Sequence, residues 1–414
     1  MMTKGKDQFS RREFLSKTFS SIALGKFLII TKKKTHALTQ KETDQNLKKK
    51  IIYRTLGKTG ISLPIVSMGA MNTLDSALVK KSYEIGIRFF DTAADYMRGR
   101  NEEMLGNAIK ELNVREKVII GTKAFVSLLR RGRSPKEIKE AYLKSTEESL
   151  KRLKTDYVDI LYSHSVYDTK WLKNPGVLEA LQLLKEQKKT RFIGFTTHQN
   201  MAECINEAAQ MDFYDVICTS FNYTMSEDRN LIHALRNAAS KGIGLMAMKT
   251  QCGGQYFRLA DIPPEKKQLY KKDILHTAVL KWVLQNDFIA SAVPGYTNYT
   301  QMEEDFCVAY SLEYTDEERK FLNDRDVKAA TGSLCHQCSR CMPSCPNQVD
   351  IPSLMRTHMY AVNYPNFYQA WNTLREIPTG KGLDMCVSCD SCKATCIRGV
   401  DIASRIAELK QIYA

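Results

Sequence analysis

Phe89-Phe90-Asp91-Thr92-Ala93-Ala94-Asp95-Tyr96 decides how the middle of the chain is read. A short apolar run breaks off on Asp91 and Thr92, and small and polar residues follow. That is the pattern of a buried strand, Phe89–Thr92, delivering polar groups at its C-terminal end. From Ile51 to about Leu312, short apolar runs alternate with longer amphipathic stretches, as the βα units of a parallel sheet require. The other strands expected are Ile65–Gly69, Val118–Lys123, Tyr157–His164, Arg191–Thr196, Asp215–Ser220, Gly244–Lys249 and Ile289–Pro294. Eight strands in about 260 residues fit a (β/α)8 barrel. Ahead of them, Ile51–Leu56 and Ile61–Ile65 flank Gly57-Lys58-Thr59-Gly60 and read as a hairpin that could plug the N-terminal end of the barrel.

In such a barrel the chemistry sits where the strands end. The first of these ends carries Asp91 and leads to Tyr96, the next ends Thr122-Lys123, and the one after ends Tyr162-Ser163-His164. Taken singly, a strand-end Tyr or His is more often packed or hydrogen-bonded than catalytic. Their joint placement at consecutive strand ends favours a site.

The C-terminal region is organised by cysteine. Cys335-x2-Cys338-x2-Cys341-x3-Cys345-Pro346 is repeated as Cys386-x2-Cys389-x2-Cys392-x3-Cys396, with all four thiols shifted by 51 residues and Val349-Asp350-Ile351 answered by Val400-Asp401-Ile402. Three thiolates from one tight turn and a fourth from elsewhere suit a [4Fe–4S] cluster. The two runs can complete each other: Cys335, Cys338 and Cys341 with Cys396, and Cys386, Cys389 and Cys392 with Cys345. A zinc ribbon or a disulfide framework is the alternative; zinc sites use closely spaced ligand pairs, and disulfide scaffolds are typically small secreted chains. Two apolar-periodic stretches, Pro352 to Asn363 and Asn366 to Glu376, predict helices between the runs, the first opening with Pro at the first helical position. The remaining cysteines, Cys204, Cys218, Cys252 and Cys307, have no ligand spacing.

At 414 residues the chain is long enough for a barrel and a second unit. Its net charge of +15 is concentrated in residues 1–50, which hold 13 Lys/Arg and 4 Asp/Glu. With no nucleic-acid motif and no dense basic stripe elsewhere, nucleic acid is excluded as a partner. Arg130, Arg131 and Arg133 read as a solvated loop. Ser10-Arg11-Arg12-Glu13-Phe14-Leu15 followed by Lys17 resembles a twin-arginine export signal, with an apolar run from Thr18 to Ile30 and Thr35-His36-Ala37 as a cleavage site. That run is too short for a stable membrane span.

The middle segment resembles the aldo/keto reductase family. The likeness lies in Tyr53-Arg54-Thr55-Leu56-Gly57-Lys58-Thr59-Gly60, Phe90-Asp91-Thr92-Ala93 through Tyr96, Glu102, Leu105-Gly106, Ser149-Leu150-Lys151-Arg152-Leu153, Asp156-Tyr157-Val158-Asp159 and Val293-Pro294-Gly295. The resemblance implies a catalytic tetrad of Asp91, Tyr96, Lys123 and His164, with Tyr96 as proton donor, its pKa lowered from about 10 by Lys123. It also implies NADP(H) lying across the C-terminal rim against Thr196, Thr197, His198, Lys249, Gly295, Thr297, Gln301 and Glu304. Met97, Cys218 and Asp305 depart from the Gly, Gln and Asn usual there. The cysteine region resembles an α-helical ferredoxin domain, with Ile397 where a Pro normally follows the last Cys.

The whole therefore reads as a signal segment (1–37), a linker (38–50), a TIM barrel (51–312), a connecting segment (313–332) and a small α-helical ferredoxin-type domain with two [4Fe–4S] clusters (333–414). The function implied is NADP(H)-dependent reduction of a small aldehyde or ketone, or oxidation of the alcohol. The alternative is an exported electron-transfer or binding protein that keeps the barrel as scaffold without nicotinamide turnover. The clusters are either structural clips or redox centres served by a partner protein. The signal implies the twin-arginine translocase as a partner and a periplasmic or otherwise extracytoplasmic location, with the cytoplasm as the alternative.

Overall fold

Strands β3 (Met68–Gly69), β4 (Phe89–Asp91), β5 (Ile119–Ala124), β6 (Val158–Ser163), β7 (Thr190–Thr197), β8 (Val216–Ser220), β9 (Gly244–Met248) and β10 (Ser291–Ala292) pair in parallel, each with its neighbour in sequence. Parallel bridges Val66 to Ala292 and Gly69 to Gly295 join the last strand to the first and close the barrel. The computed structural model describes residues 50–124, 132–251, 272–325, 327, 334–386, 389 and 391–413. The signal segment, all but the last residue of the linker, Arg130, Arg131 and Cys252 lie outside the described residues.

All eight expected barrel strands are present with ends shifted by a few residues. The two at the seam are the most shortened, because their ladder is reduced to isolated bridges on one side. The hairpin is also found: β1 (Tyr53–Thr55) and β2 (Ser62–Pro64) pair antiparallel around the turn at Gly57–Thr59. Leu56, Ile61 and Leu63 pack with Phe89, Ile160 and Val216 at the bottom of the barrel interior, so the hairpin is the plug expected. Gly57 has φ +53, and a Cβ there would run into the backbone of Gly242 and Gly244. Only glycine allows the turn to press so closely on the barrel floor.

Glu102 explains part of the sequence pattern. It lies on helix Arg100–Leu112 with no exposed surface. Its carboxylate accepts from Thr122 Oγ1 of β5 at 2.5 Å and from Arg152 Nε at 2.7 Å. One buried acid thereby ties a strand and the end of helix Pro135–Leu153 to the helix that follows Tyr96.

Helix Asp316–Asn323, opened by a capping box of Thr315 and Glu318, leads from the barrel to the cysteine region. Helix Ile351–His358 then runs into a π-helical turn, Met359–Asn363, and Phe367–Glu376 and Ile402–Tyr413 follow. The two helices predicted between the cysteine runs are thus present, although Pro352 occupies the second helical position because Asp350, accepting from Ser353 N, is the cap. Residues 50–414 form one compact unit. Tyr223, Ala278 and Val279 of the barrel share a core with Phe321 and Leu322 of the connection and with Met359, Tyr360 and Ala370 of the cysteine region. At about 1.5–3 kcal/mol for each large apolar side chain fully buried, such a seam holds the two parts in register. Tyr223 Oη donates to the carbonyl of Leu322, and Asn366 Nδ2 donates to Asn72 Oδ1 at 3.2 Å.

Removing the Glu102 carboxylate leaves Thr122 and Arg152 without their shared partner. Glu102→Ala is expected to destabilise the protein by about 3 kcal/mol. An unchanged urea midpoint would contradict this assignment.

Candidate active site and cluster loops

Lys123 is the most deeply placed charge of the site, with its side chain 1% exposed near the end of β5. Its ammonium donates to Asp91 Oδ2 at 2.5 Å and to the carbonyl of Thr92 at 2.6 Å, and it lies 4.7 Å from the centre of the Tyr96 ring. A buried ammonium needs such partners, because desolvation otherwise disfavours its charge. Burial pushes the Asp91 carboxyl up, and Lys123 pulls it back down. The rings of Tyr96 and His164 meet edge to face at 5.9 Å, and His164 Nδ1 lies 3.3 Å from Asp95 Oδ1. The four residues expected to converge therefore do so. Asp95, one position before Tyr96, is a fifth polar member to which the sequence reading gave no role.

The expected lowering of the Tyr96 pKa is not found. Burial first, then the nearby Asp91 and Asp95, push its phenol well above the usual value of 10.0. The bonds of Lys123 go to Asp91 and Thr92, and its ammonium faces the ring of Tyr96. Met97 has φ 49, so the backbone after Tyr96 takes a left-handed form in which a glycine would be comfortable.

Asp91, Tyr96 and His164 open onto a cavity of about 920 Å³. Of the rim residues expected, Thr196, His198, Lys249, Gly295, Thr297, Gln301 and Glu304 line it. Thr197 does not; it is fully buried and donates to the carbonyl of Gln199 at 3.1 Å. Successive strand residues point to opposite faces, so Thr196 and Thr197 cannot both face the cavity. Asp305 is buried, and its carboxyl is pushed well above the usual range by that burial while Gln251 Nε2 donates to it at 2.5 Å. A buried carboxyl with a raised pKa thus stands where the resemblance implied an Asn. Cys218 lies in the barrel interior and its thiol is pushed up by burial.

The other wall was not foreseen. Arg356, Tyr360 and Glu376, all from the cysteine region, line the same cavity. Lys249 Nζ lies 5.5 Å over the Tyr360 ring. Burial, and then the charge of Arg356, pull Lys249 down to about 7. Burial pushes the Tyr360 phenol up to about 12. The sequence signal for this wall is slight: the π-helical turn that carries Tyr360 has no distinctive residue pattern, although such turns are frequent at functional sites.

Cysteines of each expected set lie near enough to act on one another electrostatically, although among the described residues no three ligating groups stand close enough to hold a metal ion. After burial and the Gln337 amide, Cys335 is influenced by Cys341, Cys338 and Cys396; Cys386 is influenced by Cys345, Cys392 and Cys389. Amide donors approach three sulfurs: Gln337 N to Cys335 at 3.4 Å, Arg398 N to Cys396 at 3.4 Å, and Asn347 Nδ2 to Cys389 at 3.5 Å. Donors aimed at sulfur suit thiolates bound to iron. The loop of the first group abuts the barrel rim, where Asn200 N donates to the carbonyl of Gln337 at 3.3 Å and Ser339 Oγ donates to Asn200 Oδ1 at 3.1 Å.

The profile of the aldo/keto reductase family matches residues 70–324. The chain belongs to the aldo/keto reductase family. A second profile, the 4Fe-4S dicluster domain, matches residues 334–401. L-galactose dehydrogenase of Arabidopsis thaliana is 30% identical over 308 residues, covering 66% of this chain and 93% of that protein. L-glyceraldehyde 3-phosphate reductase of Escherichia coli (strain K12) is 31% identical over 172 residues, 37% of this chain and 49% of that one. The fold matches aldo-keto reductase AKR11C1 from Bacillus halodurans (holo form) with a TM-score of 0.52 and 19% identity, covering 67% of this chain and all of that one. This aldo/keto reductase is thus an oxidoreductase of carbonyl or alcohol groups with a fused iron–sulfur domain.

Proposed function

We propose that this protein reduces an aldehyde or ketone, or oxidises the corresponding alcohol, with NADP(H) in the cavity above Lys123, and that its fused domain carries two [4Fe–4S] clusters. The observation that carries the reading is the buried Asp91–Lys123 pair beneath Tyr96 and His164, open to a cavity of about 920 Å³. The nicotinamide, when bound, supplies the hydride. Thr196 and His198 would hold it on one side of the rim, with Gly295, Thr297, Gln301 and Glu304 on the other.

As a carbonyl carbon is reduced, negative charge grows on its oxygen, and a proton must reach that atom. Tyr96 Oη gives the proton. Because its pKa is raised, Tyr96 is fully protonated at neutral pH and always ready as the acid. Lys123 bonds to no substrate atom; held by Asp91 and the carbonyl of Thr92, it forms the floor on which the ring of Tyr96 rests. His164 hydrogen-bonds the substrate oxygen, and Asp95, 3.3 Å from its Nδ1, helps to set the orientation of the ring.

Cys335, Cys338, Cys341 and Cys396 would hold one cluster, and Cys386, Cys389, Cys392 and Cys345 the other. Such clusters carry single electrons, which a redox partner protein would deliver or accept. We also infer from the sequence of residues 10–17 that the twin-arginine translocase exports the folded protein, with its clusters already in place.

Tyr96→Phe is expected to lower carbonyl turnover by about 10²–10⁴-fold while NADPH still binds, as read by steady-state rates and nucleotide titration. In the intact protein, alcohol oxidation needs the phenolate, so its rate should climb with pH up to and past 10, while carbonyl reduction stays flat over the same range. Near-normal turnover in Tyr96→Phe would refute the assignment. Cys396→Ser is expected to disturb the centre of the Cys335 run and spare that of the Cys386 run, as followed by iron content and electron paramagnetic resonance of the reduced protein. Replacing Arg11 and Arg12 together by Lys should leave the protein in the cytoplasm on cell fractionation.

A further inference from the structure

The cluster-bearing domain contributes charge to the cavity. Arg356 is 5% exposed yet faces the cavity wall. Its Nη1 donates to Gln337 Oε1 at 3.0 Å, its Nη2 lies 3.4 Å from Ser353 Oγ, and Glu376 Oε2 is 3.8 Å away. Gln337 sits between Cys335 and Cys338, so the first cluster loop itself holds the guanidinium in place.

Lys249 is the second cation. It reaches the same cavity from the barrel side, over the Tyr360 ring. Among the described residues no carboxylate forms an ion pair with it. Of the other charges nearby, Asp91 is paired with Lys123 and Glu376 with Arg356. Glu304 and Asp305 belong to the helix after β10, and burial pushes the Asp305 carboxyl well above its usual range. Two cationic side chains, Lys249 from the barrel and Arg356 from the cluster domain, thus face one cavity in a partly desolvated place, where an anion would be stabilised.

We propose that Arg356, held by the first cluster loop, and Lys249 together bind an anionic substituent of the carbonyl substrate, so that the iron–sulfur domain completes the substrate site. The proposal rests on the reading of the cavity as the site of carbonyl reduction. It gives the clusters a task that hydride chemistry does not: they fold the loop that positions Arg356. The planar guanidinium suits a carboxylate or a phosphate, and so does the diphosphate of a nicotinamide cofactor. The experiment must separate substrate from cofactor.

The full chain is purified anaerobically with its clusters. Rates with NADPH are measured for the three formylbenzoate isomers and for their methyl esters, in the native protein, in Arg356→Gln and in Arg356→Lys. NADPH dissociation constants are measured beside them. The native protein is expected to prefer at least one acid over its ester. In Arg356→Gln that preference should fall by roughly 10–100-fold, through KM and not kcat, with Arg356→Lys intermediate and the NADPH dissociation constant within about twofold of native. The proposal is overturned if the native protein shows no preference for an acid, or if Arg356→Gln affects acid and ester alike. It is equally overturned if the preference holds while NADPH binding weakens, since the pair would then serve the cofactor. If no carbonyl is turned over at all, the reduction reading fails by itself. Calorimetry of formylbenzoate with the native protein then decides the anion site: binding lost in Arg356→Gln supports it, and no native binding refutes it.

Discussion

An ammonium group at the centre of a barrel is tolerated only when its partners are built in before it. Lys123 has lost its water, and the carboxylate of Asp91 and the carbonyl of Thr92 replace it. Both partners come from the strand end next to its own, so the parallel closure of the sheet is what makes the arrangement affordable. Tyr96 then lies over the ammonium, and Glu102, only six residues further along, ties the following helix to β5. The site and the packing of this side of the barrel are thus one network.

Upon this scaffold the iron–sulfur region acts as a wall. The helix that follows the first cysteine run turns into a π-helical segment at Met359–Asn363, and this places Tyr360 against Lys249 at the cavity. The shared core around Tyr223, Phe321 and Met359 holds the two parts together, so the cavity belongs to both. The wall brings Arg356 and Glu376 to the cavity onto which Asp91, Tyr96 and His164 open.

The strands and the tetrad were legible because their signals are local. Each strand is a short apolar run with a polar end, and in a parallel barrel every such end faces the same way. Asp91, Tyr96, Lys123 and His164 could therefore be grouped without knowing any distance. The cysteine runs were legible for a similar reason, since three ligands come from one turn. Thr197 shows where local reading failed: the run Thr196-Thr197-His198 looked uniform, but strand alternation turns the middle residue away from the cavity. The raised pKa of Tyr96 was hidden too, because it depends first on burial and then on how close Asp91 and Asp95 pack to its phenol.

By itself the sequence determined the order of βα units, the convergence of the tetrad on one rim, the two cysteine groups and the helices between them. These follow from periodicity, strand direction and spacing, all of which act over a few residues. Only the tertiary structure decided that Arg356 and Tyr360 close a cavity opened by the distant strand ends of Asp91 and His164, and that Lys249 meets them there with no ion pair to a carboxylate among the described residues. The physical reason is that burial and charge pairing are properties of the packed interior. Nothing in the local chain around Arg356 states which face of the barrel its helix will cover.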